Sequence, residues 1–359
     1  MYLTQLAIRR VRNLQEVTIQ PVAGLNLIYG ANASGKTSLL EAIHLLSHAR
    51  SFRSADIRTV IQHNSETLQV TGQVEAQPVG QKASLGIEKG KNLTRVRINQ
   101  QTVHQTSKLA AFLPVQTITP EVHQILEQGP SQRRKFLDWG LFHVEHTFHP
   151  LWQQYNRILK QRNAAIRADD GRAAIQLWDE HLAKSGVKLT RYRQDYVSAL
   201  LPYTRDYVQK LLQLEIELIY SPGWNQDKTL KEALKEGIQS DMKQGFSRLG
   251  PHRAELRILS NGIPAKDQFS RGQQKLLVCA LRLAQIAHLQ ESAGQASVVL
   301  VDDLAAELDK ERRARLLSLL KETGAQIFVT VTEPEMIEHK IWPVSKLFHV
   351  KHGKVCEVI

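Results

Sequence analysis

The stretch GANASGKTS, residues 30–38, sets Gly30, Gly35, Lys36 and Thr37 at the spacing G-x-x-x-x-G-K-[ST]. That spacing suits phosphate chemistry. Short residues at Ala31, Asn32, Ala33 and Ser34 let backbone N–H groups close around a β-phosphate. Lys36 brings a point charge to the β and γ oxygens, and the Thr37 hydroxyl, followed by Ser38, offers a ligand to Mg2+. The residues indicate an ATP or GTP site. The bland alternative is a chance glycine turn, which the apolar run before it and the helical run after it disfavour.

A second stretch, SVVLVDDLAAELD (297–309), closes an apolar run on Asp302 and Asp303. Ligands of open parallel sheets gather at the carboxyl ends of strands. Asp302 is therefore expected to hold Mg2+ together with Thr37, and Asp303 to polarise an attacking water. The competing reading is an Asp-Asp pair that caps a helix. Many ATPases with these motifs carry Glu where Asp303 stands. The shorter side chain predicts slow hydrolysis, suited to a switch, and a turnover number well above about 10 s−1 would contradict that.

The third stretch is DQFSRGQQKLLVCALRLAQ (267–285). Ser270, Gly272 and Gln273 open what reads as the exposed start of a buried helix, and such starts attract anions. A surface turn feeding a core helix explains the same residues.

Positioning these groups requires particular elements. The first 29 residues read as two strands, the alternating LTQLAIRRVRNL and the apolar LNLIY. TSLLEAIHLLSHA follows the glycine-rich turn at helical spacing. Period-two alternation with turn signals from about Leu68 to Val103 predicts antiparallel hairpins. Residues from about Ser131 to Met242 read as mostly helical, broken at ADDGRA (168–173), with a strand in LEIELIYSPGW. HRAELRILSNGIPAKDQF predicts a hairpin turning at Asn261-Gly262. The chain closes with α/β alternation and a last strand pair around His352-Gly353. The two ends are expected to form one nucleotide-binding lobe around a helical insert, with segments at 1–130, 131–245 and 246–359.

Across 359 residues, Lys and Arg exceed Asp and Glu by 47 − 35 = 12. Such a surplus favours a polyanionic partner, nucleic acid being the commonest, with plain solubility charge as the alternative. Cys279 and Cys356 form no motif. The N-terminus mixes charge into its alternation, so no signal peptide is expected. No run approaches the roughly 18 apolar residues of a membrane span. A cytoplasmic protein with no membrane partner is expected.

The order of the three stretches resembles the ABC-type ATPases, whose signature is a Ser-x-Gly-Gln helix start. In that superfamily two heads pair head to tail, and each signature helix caps the γ-phosphate held by the other. The resemblance thus implies that Ser270, Gly272 and Gln273 meet a partner's ATP across an isologous interface with Asp309 nearby. The chain is further identified as similar to the RecF family over essentially its whole length. The carrying segments are LTQLAIRRVRNLQEVTIQPVAGLNLIYGANASGKTSLLEAIHLLSHARSFR, VQTITPEVHQILEQGPSQRRKFLDWGLF, GPHRAELRI, FSRGQQKLLVCALRLAQ and LVDDLAAELDKERR. Asp at 303 also fits that family's pattern.

The implied fold is an α/β, ABC-type P-loop ATPase head with an antiparallel β subdomain and a mainly helical inserted arm. The insert has no sustained heptads, so a short arm is expected rather than a long coiled coil. The implied function is ATP-dependent dimerisation on DNA at single-strand/double-strand gap junctions, with slow ATP hydrolysis. It would cooperate with RecR and RecO in loading a recombinase onto gaps. A γ-phosphate sensor at Thr330 or Thr332, and Gln116 as the Q-loop residue, stay open. Candidate DNA contacts are Arg50, Arg53, Arg58, Arg133, Arg134, Lys135, Arg157, Lys160, Arg162 and Arg167, each of which a solvated helix face also explains.

The rival function is the nucleotide-binding subunit of a membrane transporter, which the arm, Asp303 and the charge surplus disfavour. A structural DNA-binding protein with an inactive P-loop is disfavoured by Lys36, Thr37 and Asp302. His143, His146 and His149 have helical spacing, but with no second ligand cluster they read as packing rather than zinc.

Overall fold

The computed structural model describes residues 2–75, 80, 82–168, 171–303 and 308–358. The chain forms two compact units, residues 1–122 with 289–359, and residues 123–288. Both chain ends lie in the first unit. The stretch 246–288 lies in the unit that holds the long helices.

The first unit begins with β1 (Tyr2–Val11), β2 (Leu14–Ile19) and β3 (Leu25–Tyr29). Sequence read β1 and the start of β2 as one strand; the chain turns at Arg12-Asn13. Arg12 takes a left-handed φ of 52°, and its N–H is accepted by the Val60 carbonyl at 2.8 Å. No local glycine marks that turn; its acceptor comes from a distant segment. Along β1, Leu3, Leu6, Ile8 and Val11 are buried. A register shift between Leu3 and Gln5 lets two leucines three residues apart face one core.

β4 (Thr67–Glu75), β5 (Lys82–Gly90), β6 (Thr94–Ile98) and β7 (Gln101–Val103) continue as the hairpins the alternation predicted. With β1 and β2 they make an antiparallel sheet ordered β2-β1-β4-β5-β6-β7. β8 (Val115–Ile118) leaves for the other sheet.

The second unit carries helices Pro130–Val144, Phe148–Ala168, Arg172–Leu212 and Leu230–Gln244. Beside them stand β9 (Glu217–Ser221), β10 (Glu255–Ser260) and β11 (Ile263–Pro264), ordered β11-β10-β9. Asn261 and Gly262 both take left-handed φ, 49° and 76°, as the Asn-Gly turn predicted. Three helices of this unit are tied by Arg162, which is fully buried. Its Nε donates to Asp179 Oδ1 at 2.7 Å, and its Nη1 to Asp241 Oδ2 at 2.6 Å and Ser247 Oγ at 2.7 Å. Arg162 is therefore no DNA contact: its charge is spent on two buried carboxylates.

The first unit resumes with β12 (Val298–Val301), β13 (Gln326–Val331), β14 (Ser345–Lys351) and β15 (Lys354–Val358). The second sheet runs β15-β14-β3-β13-β12-β8, parallel throughout except for the antiparallel edge strand β15. Strands covered on both faces read as near-continuous apolar runs; VVLV is fully apolar, and LNLIY and QIFVTV are interrupted only by Asn26, Gln326 and Thr330. Helix Lys36–His48 packs against both sheets and is buried almost all round, so it carries apolar residues on every side. Its buried Glu41 is compensated by Arg12, in a two-pronged pair with Nε–Oε2 at 2.8 Å and Nη2–Oε1 at 2.9 Å.

Candidate nucleotide site

β3 delivers the chain to Gly30, whose φ of 151° carries it into the glycine-rich loop, and helix Lys36–His48 leaves it. Ala31, Asn32 and Ala33 are exposed, Ala33 in a left-handed conformation, and Ser34 is buried. Lys36 folds back over its own loop, where Nζ donates to the carbonyls of Gly30 at 2.9 Å and Ala31 at 3.1 Å. A lysine so held sits over the concavity of the loop. The first N–H groups of the helix, at Lys36, Thr37 and Ser38, have no acceptor within it and face the loop side.

Two segments far off in sequence brace this loop. Asn13 Nδ2 donates to the Ser34 carbonyl at 3.0 Å, and Asn13 Oδ1 accepts from Ser38 Oγ at 3.0 Å. The Gly353 N–H, in the β14–β15 turn, donates to the same Ser34 carbonyl at 2.9 Å. Gly353 has φ 75°, and a Cβ there would lie 2.1 Å from the Asn13 carbonyl oxygen, so only glycine fits. Sequence reasoning missed both braces. The His352-Gly353 turn was visible, but nothing local says what its N–H touches.

The acidic pair follows β12, which lies between β13 and β8. Asp302 is 6% exposed, and its Oδ1 accepts from two hydroxyls, Thr37 Oγ1 at 2.9 Å and Thr330 Oγ1 at 2.9 Å. Burial pushes the Asp302 carboxyl above the usual carboxylate range. The two hydroxyls oppose that shift, Asp303 adds to it, and the positive charge of Arg53 again opposes it. Asp303 takes a left-handed φ of 45°, and its N–H donates to Thr330 Oγ1 at 2.9 Å. The helix Lys310–Glu322 is capped by Asp309, which accepts from the Arg312 N–H at 2.9 Å. The Asp309 expected near a shared interface thus has a local task, and residues 304–307, which include the first two of AELD (306–309), lie outside the described residues.

The two Thr positions left open by sequence differ sharply. Thr330 is fully buried on β13 against the acidic pair, whereas Thr332 is exposed and its hydroxyl turns to Met336 Sδ at 3.3 Å. Gln116 pairs with Val299 within β8, three positions before the residue level of Asp302, and is buried there.

In the other unit, Ser270 stands exposed before the helix Arg271–Ala293. Its N–H donates to Gln273 Oε1 at 3.0 Å while the Gln273 N–H donates to Ser270 Oγ at 3.4 Å, the reciprocal pattern of a capping box. Between Leu276 and Leu289 the helix is mostly buried, Cys279 included, and burial pushes that thiol up to about 12. The expected exposed start of a buried helix is therefore observed.

Several other candidates resolve into structure. Arg133 pairs with Glu255 at 2.7 Å and donates to the Gln128 carbonyl at 2.8 Å; Arg134 donates to the Ala254 carbonyl at 2.8 Å; Arg58 pairs with Asp56 at 2.6 Å. Arg50, Arg53, Lys135, Arg157, Lys160 and Arg167 remain exposed. His143 is buried against Trp139 and Phe142, which drives its pKa down to about 3. His149 stacks on Trp152.

The residues present suit a magnesium nucleotide. The buried Ser34 hydroxyl has no hydrogen-bond partner, Lys36 is aimed at the loop, and Asp302 keeps Oδ2 without a hydrogen-bonded partner among the described residues. These are unmet donors and acceptors of the kind phosphate oxygens and a hard cation satisfy.

A glycine-rich loop between a central parallel strand and a buried helix, faced by an acidic pair on the neighbouring strand but one, with an antiparallel sheet over the helix, defines a P-loop ATPase head of the ABC and SMC type. The chain belongs to the RecF family. Residues 2–355 match the RecF/RecN/SMC N terminal domain. The chain is 40% identical over 354 residues to the DNA replication and repair protein RecF of Thioalkalivibrio sulfidiphilus, covering 98% of each. It is 43% identical over 365 residues to that of Pseudomonas fluorescens, covering 99% of this chain and 98% of the relative. Among solved structures it resembles the recombination mediator protein RecF with ATP in the RecFOR pathway, with TM-score 0.90 and 28% identity over 100% of this chain and 98% of that one. An Smc head bound to the C-winged helix domain of ScpA shares the fold, with TM-score 0.61 and 16% identity, covering 100% of this chain and 98% of that one.

Proposed function

We propose that this chain is an ATP-dependent DNA-binding protein of replication and recombinational repair. The observation that carries the reading is the meeting of Thr37 and Asp302, which brings the hydroxyl of the glycine-rich loop onto the acidic strand. Residues Gly30 to Ser38 cradle the phosphates of ATP, with Lys36 on the β and γ oxygens. Thr37 and Asp302 would hold Mg2+, whose charge would offset that of the phosphate oxygens. Asp303 orients the water that attacks the γ-phosphorus, and ADP and phosphate leave. The close RecF relatives, named for DNA replication and repair, support the cellular role.

Two such heads associate head to tail when ATP is present. Ser270, Gly272 and Gln273 at the helix start then supply N–H and hydroxyl donors to the partner's γ-phosphate. The positive surplus of 12 charges favours the DNA backbone, at single-strand/double-strand gap junctions, where RecR and RecO would join it. A protein acting on DNA in replication and repair works in the cytoplasm. No helix among the described residues is long and apolar enough to cross a membrane.

The test is DNA binding with and without ATP, at two salt concentrations, for the natural chain and Ser270→Arg. Binding that ATP strengthens, salt weakens, and the variant leaves indifferent to ATP bears out the reading. Binding that is absent, or blind to both ATP and Ser270, overturns it.

A further inference from the structure

We infer that Thr330 is a positioning residue of the ATPase site, acting through the orientation of both aspartates. The inference rests on the nucleotide reading proposed above and deepens it. Thr330 lies on β13, between β12, which ends at the acidic pair, and β3, which ends at the glycine-rich loop. A threonine hydroxyl has one proton to give and two lone pairs to receive with. Here the proton and one accepted bond are both directed at the acidic pair. The proton goes to Asp302 Oδ1 at 2.9 Å, since Asp303 Oδ1 is farther off at 3.5 Å. In return the oxygen accepts the Asp303 N–H at 2.9 Å.

Each bond has a consequence. Thr37 and Thr330 both donate to Oδ1 of Asp302, so that oxygen is held from two sides and the carboxylate plane is fixed, with Oδ2 left open for a cation. A rotating carboxylate would present the same charge without the same direction. The bond from Asp303 holds the backbone at φ 45°, a conformation that L residues rarely adopt, and so decides where the Asp303 side chain leaves the strand. Thr332, two residues on and turned to Met336, does neither. A buried threonine that merely satisfies itself would bond a local carbonyl, as Thr204 does with the Leu200 carbonyl at 2.9 Å. Thr330 instead spans to a strand 27 and 28 positions away.

Valine at 330 keeps the shape and the β-branching of the strand residue and removes only the hydroxyl. The experiment compares the natural chain, Thr330→Val and Thr330→Ser in full length. It measures kcat and KM for ATP with saturating DNA, Mn2+ affinity by electron paramagnetic resonance in the presence of ADP, binding of a fluorescent ATP analogue without divalent metal, and Tm. The valine variant is expected to lose about tenfold or more in kcat and about threefold or more in Mn2+ affinity, with metal-free nucleotide binding within about twofold. Serine, which restores the hydroxyl, is expected to recover most of both losses.

A valine variant with natural kcat and Mn2+ affinity overturns the inference. So does one that loses Tm and metal-free nucleotide binding together with no recovery in the serine variant, since that is the mark of a packing role. A natural chain that binds no nucleotide at all sinks the nucleotide reading itself, and this inference with it. Failure of the inference alone shows as a natural chain that hydrolyses ATP beside a valine variant that matches it.

Discussion

Thr37 and Asp302 stand 265 positions apart in the chain, yet the hydroxyl of one donates to the carboxylate of the other at 2.9 Å. That bond joins the start of the buried helix to the end of β12 across β13. A cation would need an oxygen from each side at this place, and both are already aimed at it.

Removing the Asp302 charge while keeping its shape separates chemistry from stability. Burial raises the Asp302 carboxyl above its ordinary range, so the ionised form is less favoured in the fold than in the unfolded chain. Asp302→Asn is therefore expected to leave Tm unchanged or higher at pH 7. Mg2+-dependent ATP hydrolysis should fall by about a hundredfold or more. Steady-state hydrolysis beside a thermal melt checks both, and a large drop in Tm would mean the carboxylate is needed for folding.

Gly353 should be intolerant of any side chain although it lies on a surface turn. Alanine there meets both a positive φ and a carbonyl oxygen 2.1 Å away, and it displaces the turn whose N–H holds the Ser34 carbonyl. Gly353→Ala is expected to cost about 1–3 kcal/mol in urea unfolding. It should also weaken binding of a fluorescent ATP analogue by about tenfold, through a loop it does not belong to. Gly324→Ala is the control, since it shares a positive φ but has open space around it. Equal losses of nucleotide binding in the two would refute the bracing role.

Arg162 supports the helical unit through two carboxylates. Arg162→Leu leaves Asp179 and Asp241 buried and facing one another without their cation. The expected loss is about 3–5 kcal/mol, the usual penalty for stranding one side of a buried pair. Replacing all three with apolar residues should recover much of it. Chemical denaturation of the single and triple variants measures both, and a single variant within about 1 kcal/mol of the natural chain would contradict the account.

Acid should weaken the second unit through a buried histidine. His252 Nε2 donates to the Ser247 carbonyl at 2.9 Å, which leaves Nδ1 as the acceptor for the Tyr155 hydroxyl at 2.7 Å. The ring is thereby held neutral, and burial lowers its pKa from 6.5 to about 4. The unfolded chain takes up the proton first, so stability is full above the unfolded pKa and falls as pH drops from 6.5 toward about 4. His44, lowered to about 4, and His143, lowered to about 3, act in the same direction in their own units. Urea midpoints at pH 7 and 5 should differ less in His252→Gln than in the natural chain. An unchanged difference would assign the acid sensitivity elsewhere.

Ser270 forms a capping box with Gln273, so a local and an intermolecular role share one residue. Ser270→Ala should cost about 1 kcal/mol through the cap alone. Ser270→Arg adds bulk and charge at the helix start and should abolish ATP-dependent association in sedimentation velocity. If both variants associate like the natural chain, the helix start is a cap and nothing more.

The glycine loop, the acidic strand and the helix start were legible because each is local: a glycine spacing, an apolar run ending in acid, a polar start to an apolar helix. The hairpins of β4 to β7 and the Asn261-Gly262 turn were legible for the same reason, since side-chain alternation and left-handed φ are written in neighbouring residues. The turn at Arg12-Asn13 was not, because its acceptor is Val60. Arg162 read as one more exposed arm charge, because burial by three helices leaves no mark on the residues beside it. Thr330 and Thr332 were indistinguishable in QIFVTVT until β13 took its place between β12 and β3. Sequence by itself determined which residues could do phosphate chemistry. Only the tertiary structure decided which of them meet, because hydrogen bonds across a parallel sheet join strands that the chain separates by hundreds of residues.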